Sequence, residues 1–330
     1  MRNKLLAVAV SGVAALSLTA PSAQAKPADV EGQASSVAIH EAATTKAEQQ
    51  RIIDYWTPAR MRNAVSADRL VADRDKSSAT GAVAKGAPQV VGAKGKPGSG
   101  TGFVGDYYTG AGQVVQTTGK VFFTLAGVNY VCSGSSTTSN NHDLVTTAGH
   151  CVNEGPGAYA TNWAFVPAYD DGARPYGTFT ARTLVTATEW QSSGDFDYDV
   201  AFAVMNPLNG ADLTDTVGSQ GIAFNLARGQ YMYSFGYPQA SPYDGSDIAW
   251  CHGTAIQDTF GGSQDQGLDC NLTGGSSGGP WFANYSTTSA VGTQNSLNSF
   301  KYRAGPLRTY MWGPFFGSVA QTLYNTAQGL

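Results

Sequence analysis

Hydrophobic and β-branched residues in this chain come in short runs, set apart by Gly, Asn, Ser and Pro. The runs fall at 114–115, 120–125, 128–131, 144–147, 163–166, 176–185 and 200–204. They resume at 221–224, 231–235, 248–251, 281–283 and 290–293. Runs this short, with turn formers between them, predict antiparallel strands closed into barrels or stacked as sandwiches. Alternation is plain after Asp199. Val200, Phe202 and Val204 share one face, and Asp199, Ala201 and Ala203 share the other. At the end of the chain Val319, Leu323 and Tyr324 have helical spacing, which predicts a short terminal helix within 317–325. No repeat of solenoid period is present.

The first hundred residues follow a different pattern. Residues 1–25 carry Arg2 and Lys4, then an apolar run to Ala20, then Ala23-Gln24-Ala25. That order is a secretory signal with a small-x-small cleavage site, and the run is short for a membrane span. Thr57 followed by Pro58 and Ala59-Arg60-Met61-Arg62-Asn63 reads as a capped helix start. From 77 to 102 the chain turns to Gly, Ala, Ser, Pro and Lys, a linker composition in which Lys85, Lys94 and Lys96 are candidate processing points. Residues 26–100 hold eleven Lys/Arg against eight Asp/Glu, whereas 101–330 hold seven against sixteen. The division expected is signal peptide 1–25, propeptide and linker 26–100, and a β-rich main domain 101–330. Opposite net charges predict electrostatic docking of the propeptide on the domain. A solvated, partly helical tail is the alternative.

At 42% hydrophobic and 13% charged, the chain can bury a large core and is not disordered. The charges of the early segment are mixed in sign and lack interleaved aromatics, which argues against nucleic-acid binding. No later run is long enough to span a membrane, so a secreted protein free of the membrane after signal cleavage is expected. Export permits disulfides among Cys132, Cys151, Cys251 and Cys270, with three pairings open. No Cys-x-x-Cys occurs, so structural zinc is not expected.

The chemistry concentrates in three places. Gly274-Gly275-Ser276-Ser277-Gly278-Gly279-Pro280 is a turn in which a serine hydroxyl and backbone N–H groups can point the same way, a nucleophile beside an oxyanion hole. His150 ends the strand-like Leu144-Val145-Thr146-Thr147-Ala148-Gly149, a rigid mount for a general base. His142 lies in a polar loop, His252 follows Cys251 as a structural residue, and His40 lies in the early segment. Asp199, at the mouth of its strand, is placed to accept a proton from an imidazole and fix its tautomer, with Asp197 two residues away. Alternate carboxylates at 195, 197 and 199 also permit a calcium reading, but the glycine and distal glutamate of such a loop are missing. Gly275-x-Ser277-x-Gly279 fits a nucleophile elbow too, yet no histidine follows Ser277. The order His, Asp, Ser remains.

Thr146-Thr147-Ala148-Gly149-His150-Cys151, Asp199-Val200-Ala201-Phe202 and Gly275-Ser276-Ser277-Gly278-Gly279-Pro280 resemble the three signatures of chymotrypsin-like (trypsin-family) serine peptidases. The particular form looks like the secreted bacterial branch akin to glutamyl endopeptidases, over roughly residues 115–316. The resemblance implies an all-β fold of two antiparallel six-stranded β-barrels, at about 110–210 and 218–316. The terminal helix would follow them and the partly helical propeptide precede them. It implies a Cys132–Cys151 disulfide. It assigns Ser277 as nucleophile, His150 as base and then acid, Asp199 as its partner, and the N–H groups of Gly275 and Ser277 as the oxyanion hole. No cofactor or metal is required. Peptide or protein substrates, its own propeptide and a monomeric state are the expected associations.

Two positions depart from the pattern. Ser276 stands where trypsin-type enzymes hold the aspartate that pairs with a new N-terminus, so that zymogen switch is not expected. Asn271 stands where Lys/Arg specificity needs an aspartate, and Gln294, beside Asn295, where glutamyl endopeptidases carry a substrate-binding histidine. Asn271, Gln294 and Asn295 are therefore the candidate substrate-binding residues. The rival reading is a secreted binding protein that keeps the barrels without catalysis.

Overall fold

A computed structural model describes Met1 and residues 36–71, 83–93 and 95–330. Apart from Met1, the signal-peptide reading lies outside the described residues, as do 77–82 and 94 of the linker. The first half of the catalytic domain closes six strands on themselves. Their order is Phe179–Ala187, Ala201–Met205, Leu144–Thr147, Val128–Thr137, Thr118–Leu125 and Thr161–Pro167. The last strand returns to the first through Ala164 opposite Thr180 and Phe165 opposite Phe179. Closure pairs each of these strands on both sides, but Phe179–Ala187 runs on past its partner and keeps an open edge at 183–187. The two-residue period decides what lies inside. Val121, Phe123 and Leu125 pack into the barrel core with Val145, Phe165, Val185 and Phe202, whereas Phe122 points the other way into a second apolar cluster.

The second half is divided between two sheets. Seven strands run in the order Gln89–Val91, Gly221–Phe224, Val291–Leu297, Pro280–Ser286, Tyr231–Gly236, Ala249–Thr254 and Phe103–Tyr107. Ile256–Gln257, Gln266–Asp269 and Tyr310–Gly313 form the smaller sheet. Helix Ser318–Ala327 then buries Leu323 and Tyr324 against the barrel, with the Tyr324 hydroxyl donating to the Thr138 carbonyl at 2.8 Å. Both disulfides are near-neighbour pairs, Cys132–Cys151 and Cys251–Cys270.

One predicted strand is a helix. Residues 114–115 lie in Gln113–Thr117, where the Gln113 amide donates to the Val217 carbonyl and Val114 is fully buried. These tertiary contacts override the β preference of two valines.

The N-terminal segment is more ordered than its composition predicts. Pro58–Asn63 is the expected helix, and the Thr57 side chain accepts from the Arg60 N–H. It follows a helix at Lys46–Tyr55 with a full capping box, whose signal, Thr45 with Glu48 three residues on, stands in the sequence. Before that, Val37–Glu41 adds an antiparallel strand to the edge of Phe179–Ala187. Among the described residues the contact with the domain combines apolar burial with hydrogen bonds. Ile52, Trp56, Met61 and Ala64 are buried in one cluster with Phe122, Val131, Ala164 and Val166, and the Trp56 indole donates to the Asn162 carbonyl at 2.6 Å. Among the described residues no ion pair joins this segment to the domain. Exposed charges in water contribute little, whereas a buried indole removes a large apolar area from solvent, so among the described residues burial outweighs charge pairing.

Candidate active site

Three elements meet where the two halves touch. Strand Leu144–Thr147 delivers His150 into the short turn Gly149–Cys151, and the Cys132 disulfide holds the next residue. Asp199 caps the turn Phe196–Tyr198 just before strand Ala201–Met205. That strand pairs with Leu144–Thr147, so the aspartate and the histidine leave neighbouring strands at the same end. The result is a two-point contact. Asp199 Oδ1 accepts the backbone N–H of His150 and Oδ2 faces Nδ1, each at 2.8 Å. Ser299 Oγ also donates to Oδ2. Complete burial alone would raise the Asp199 carboxyl, but the imidazole and these hydrogen bonds hold it below the ordinary value. With Nδ1 engaged, Nε2 is the ring nitrogen left for proton transfer, and it makes no hydrogen bond among the described residues.

Ser277 sits on the turn before strand Pro280–Ser286 and is 4% exposed. Gly275 has φ +99° and Gly278 has φ +80°, both in the left-handed region that favours glycine. A side chain at Gly278 would strike Thr147 Oγ1 and the Ser133 carbonyl, so the Ser277 turn lies directly against the end of the strand that leads to His150. Neither Gly275 N–H nor Ser277 N–H donates to a protein acceptor among the described residues. Gly278 N–H, by contrast, donates to Asn298 O at 2.7 Å. The two N–H groups expected of an oxyanion hole are therefore uncommitted. Beside them a cavity of about 240 Å³ is lined by Ser277, Thr273, Gly274, Ser299, Lys301 and Met311, among others.

Some supporting residues carried no sequence signal. Ser133 N–H donates to Ser277 O at 2.7 Å, while Ser133 Oγ donates to Gly275 O at 3.0 Å and accepts from Tyr237 N–H at 2.8 Å. Asn298 Nδ2 donates to Ser276 O at 3.0 Å, and its Oδ1 accepts from the Trp281 indole at 2.7 Å. Both residues are fully buried and fasten the turn from either side. A hint was available only for Ser133, which adjoins Cys132.

The three residues read as substrate-binding do not line this cavity. Asn271 accepts from the Tyr243 hydroxyl at 2.7 Å and donates to Gly105 O. Gln294 and Asn295 are fully buried within their sheet, where Asn295 donates to Ala223 O. Gln294 Oε1 and Asn295 Oδ1 are buried without a hydrogen-bond partner among the described residues. Asp197 likewise makes no bond to His150. Its Oδ1 accepts from Gln264 N–H at 2.6 Å, and Asp195 caps the turn by accepting from Asp197 N–H.

Residues 132–292 match the family model described as trypsin-like peptidase domain. The crystal structure of the protease Anisep from Arthrobacter nicotinovorans is 54% identical, over 69% of this chain and 100% of its own, with a TM-score of 0.64. The chain belongs to the trypsin-like serine peptidases. This peptidase is also 46% identical to the thermostable serine protease AL20 from an extremophilic microorganism, over 66% of its length and 99% of the other chain, with a TM-score of 0.61. A Glu endopeptidase, 16% identical with a TM-score of 0.54 over 69% and 98% of the two chains, shares the fold. No curated protein matches the chain. The fold of the peptidase is chymotrypsin-like, and proteins or peptides are its substrate class.

Proposed function

We propose that the protein is a secreted serine endopeptidase that cleaves peptide bonds with Ser277, His150 and Asp199 through an acyl-enzyme. Ser277 Oγ attacks the scissile carbonyl carbon as His150 Nε2 takes the hydroxyl proton. The carbonyl oxygen gains negative charge and is met by the N–H groups of Gly275 and Ser277, an effect that in such enzymes contributes about 10²–10³ in rate per donor. His150 passes the proton to the leaving amine, and the C–N bond breaks. Water, deprotonated by the same nitrogen, then releases the acid and restores Ser277. Asp199 keeps the proton on Nδ1 so that Nε2 is basic, and its charge stabilises the transient imidazolium.

The observation that carries this reading is the two-point grip of Asp199 on His150, with both contacts at 2.8 Å and complete burial. A carboxylate buried at such desolvation cost beside an imidazole makes chemical sense when the ring must become charged. Residues 1–25 are proposed as the export signal and 26–100 as a propeptide with its linker, and processing leaves a monomeric extracellular enzyme. The test is labelling of processed protein with a serine-reactive fluorophosphonate, followed by digestion of a mixed peptide library. An adduct at Ser277 together with cleaved peptides supports the proposal. Absence of both returns the protein to the class of inactive peptidase-fold binders.

A further inference from the structure

We infer that residues 64–71 form a plug laid across the catalytic cleft, and that 36–63 are the anchor that keeps it there, so that this segment inhibits its own enzyme even after the linker is cut. The inference rests on Ser277 being the nucleophile. The segment spans both halves of the domain. Val65–Ser66 pairs in parallel with Tyr130 and Val131, and Ala67 N–H donates to Val131 O at 3.1 Å. From the other side Gln239 Nε2 donates to Ala64 O at 2.7 Å, and Gln239 N–H in turn donates to Gly274 O. Between these clasps the segment lies on the nucleophile turn itself. A Cβ placed on Gly274 would come within 2.4 Å of both Ser66 Oγ and Asp68 Cγ. Ala67 is fully buried, and Asp68 and Val71 line the same cavity as Ser277.

The plug is seated as an obstruction and not as a substrate. A bound substrate must put a carbonyl oxygen on the Gly275 and Ser277 N–H groups, yet neither donates to a carbonyl of this segment. Its backbone is turned instead to Val131, and the Asp68 carboxylate is held by Ser66 Oγ. Entry is blocked while the catalytic atoms have no bond of the segment to attack. Holding power comes from elsewhere. The edge strand Val37–Glu41, the fully buried Trp56 and the fully buried Met61 lie outside the cavity. Anchor and plug are thus separate parts. Cutting the linker lowers the effective concentration of the plug but breaks none of these contacts. The familiar switch needs an acid before the nucleophile, and Ser276 offers none.

The experiment uses the full chain with a specific cleavage site engineered at 97–100, and follows the rate of fluorophosphonate labelling at Ser277. Intact and freshly cut protein should both label slowly at micromolar concentration. The cut protein should label at least about tenfold faster after extended dilution. Ala67→Arg, which crowds the plug, and Trp56→Ala, which weakens the anchor, should each give fast labelling of cut protein without dilution. Thermal melting and the intact Cys132–Cys151 disulfide serve as folding checks. Should intact chain label as fast as cut and diluted chain, the inference falls while the peptidase reading stands. If Ser277 stays unlabelled in every form, diluted and variant alike, the nucleophile assignment fails and this inference with it.

Discussion

Ser133 donates its backbone N–H to the carbonyl of Ser277 at 2.7 Å, across the junction between the first barrel and the second half. Its hydroxyl serves Gly275 O and Tyr237 N–H as well. One buried serine therefore fixes both residues whose N–H groups are proposed to hold the oxyanion. Ser133→Ala would leave a buried carbonyl and a buried N–H short of partners, at a cost of about 1–3 kcal/mol. The expected outcome is a folded enzyme with kcat lowered about tenfold and KM little changed. Steady-state kinetics beside a urea melt would separate this from simple instability.

Asp199→Asn should keep the shape and lose the chemistry. An amide nitrogen facing Nδ1 favours the tautomer with the proton on Nε2, which cannot accept one from Ser277. A fall in kcat of about 10⁴-fold is expected at neutral pH, with substrate affinity retained. If kcat on a peptide ester falls less than tenfold, Asp199 is not the orienting acid.

Gly278→Ala tests how tightly the two halves close. The new Cβ would lie 2.2 Å from Thr147 Oγ1 and 2.4 Å from Ser133 O, at a residue with φ +80°. Thr147 Oγ1 would have to give up its bond to Ser133 O, and the Ser133 carbonyl can move only with its strand, Val128–Thr137. A loss of more than about 2 kcal/mol is expected, read as a lower melting temperature together with lost activity. A stable, active variant would show that the turn adapts.

Two aspartates two residues apart should respond to pH in opposite directions. Burial pushes the Asp197 carboxyl up to about 6, partly offset by the Gln264 N–H, with Asp195 and Asp258 adding to the rise and Arg228 opposing it. The unfolded chain releases this proton near pH 4, so stability falls as pH climbs from about 4 to about 6. Asp197→Asn should thus gain up to about 2 kcal/mol over the parent at pH 7 and nothing at pH 4. Asp199 is held low, so its contribution is present above the ordinary carboxylate pKa and lost as pH falls through its folded value. Thermal melts of the parent and of Asp197→Asn across that range check both signs.

The catalytic order and most strands were legible along the chain because they are local. The two-residue alternation after Asp199, the glycines around Ser277 and the turn formers between runs depend only on neighbours in sequence. Family resemblance extended this to the Cys132–Cys151 pair. Other features could not be read that way. The valines at 114–115 favour a strand, but a Gln113 contact over a hundred residues away makes the segment a helix. Asn271, Gln294 and Asn295 stand where a pocket was expected, yet none of them lines the cavity beside Ser277, and each makes a hydrogen bond within the protein.

What the sequence by itself determined was the strand pattern, the His150, Asp199, Ser277 order and the helix start at Thr57, since each follows from backbone preferences of adjacent residues. Tertiary structure alone decided that Ser133 and Asn298 fasten the nucleophile turn and that Trp56 docks the N-terminal segment. It alone placed Asp68 and Val71 in the cavity beside Ser277. These are contacts between groups far apart in sequence, and no composition or spacing encodes which distant surfaces will bury each other.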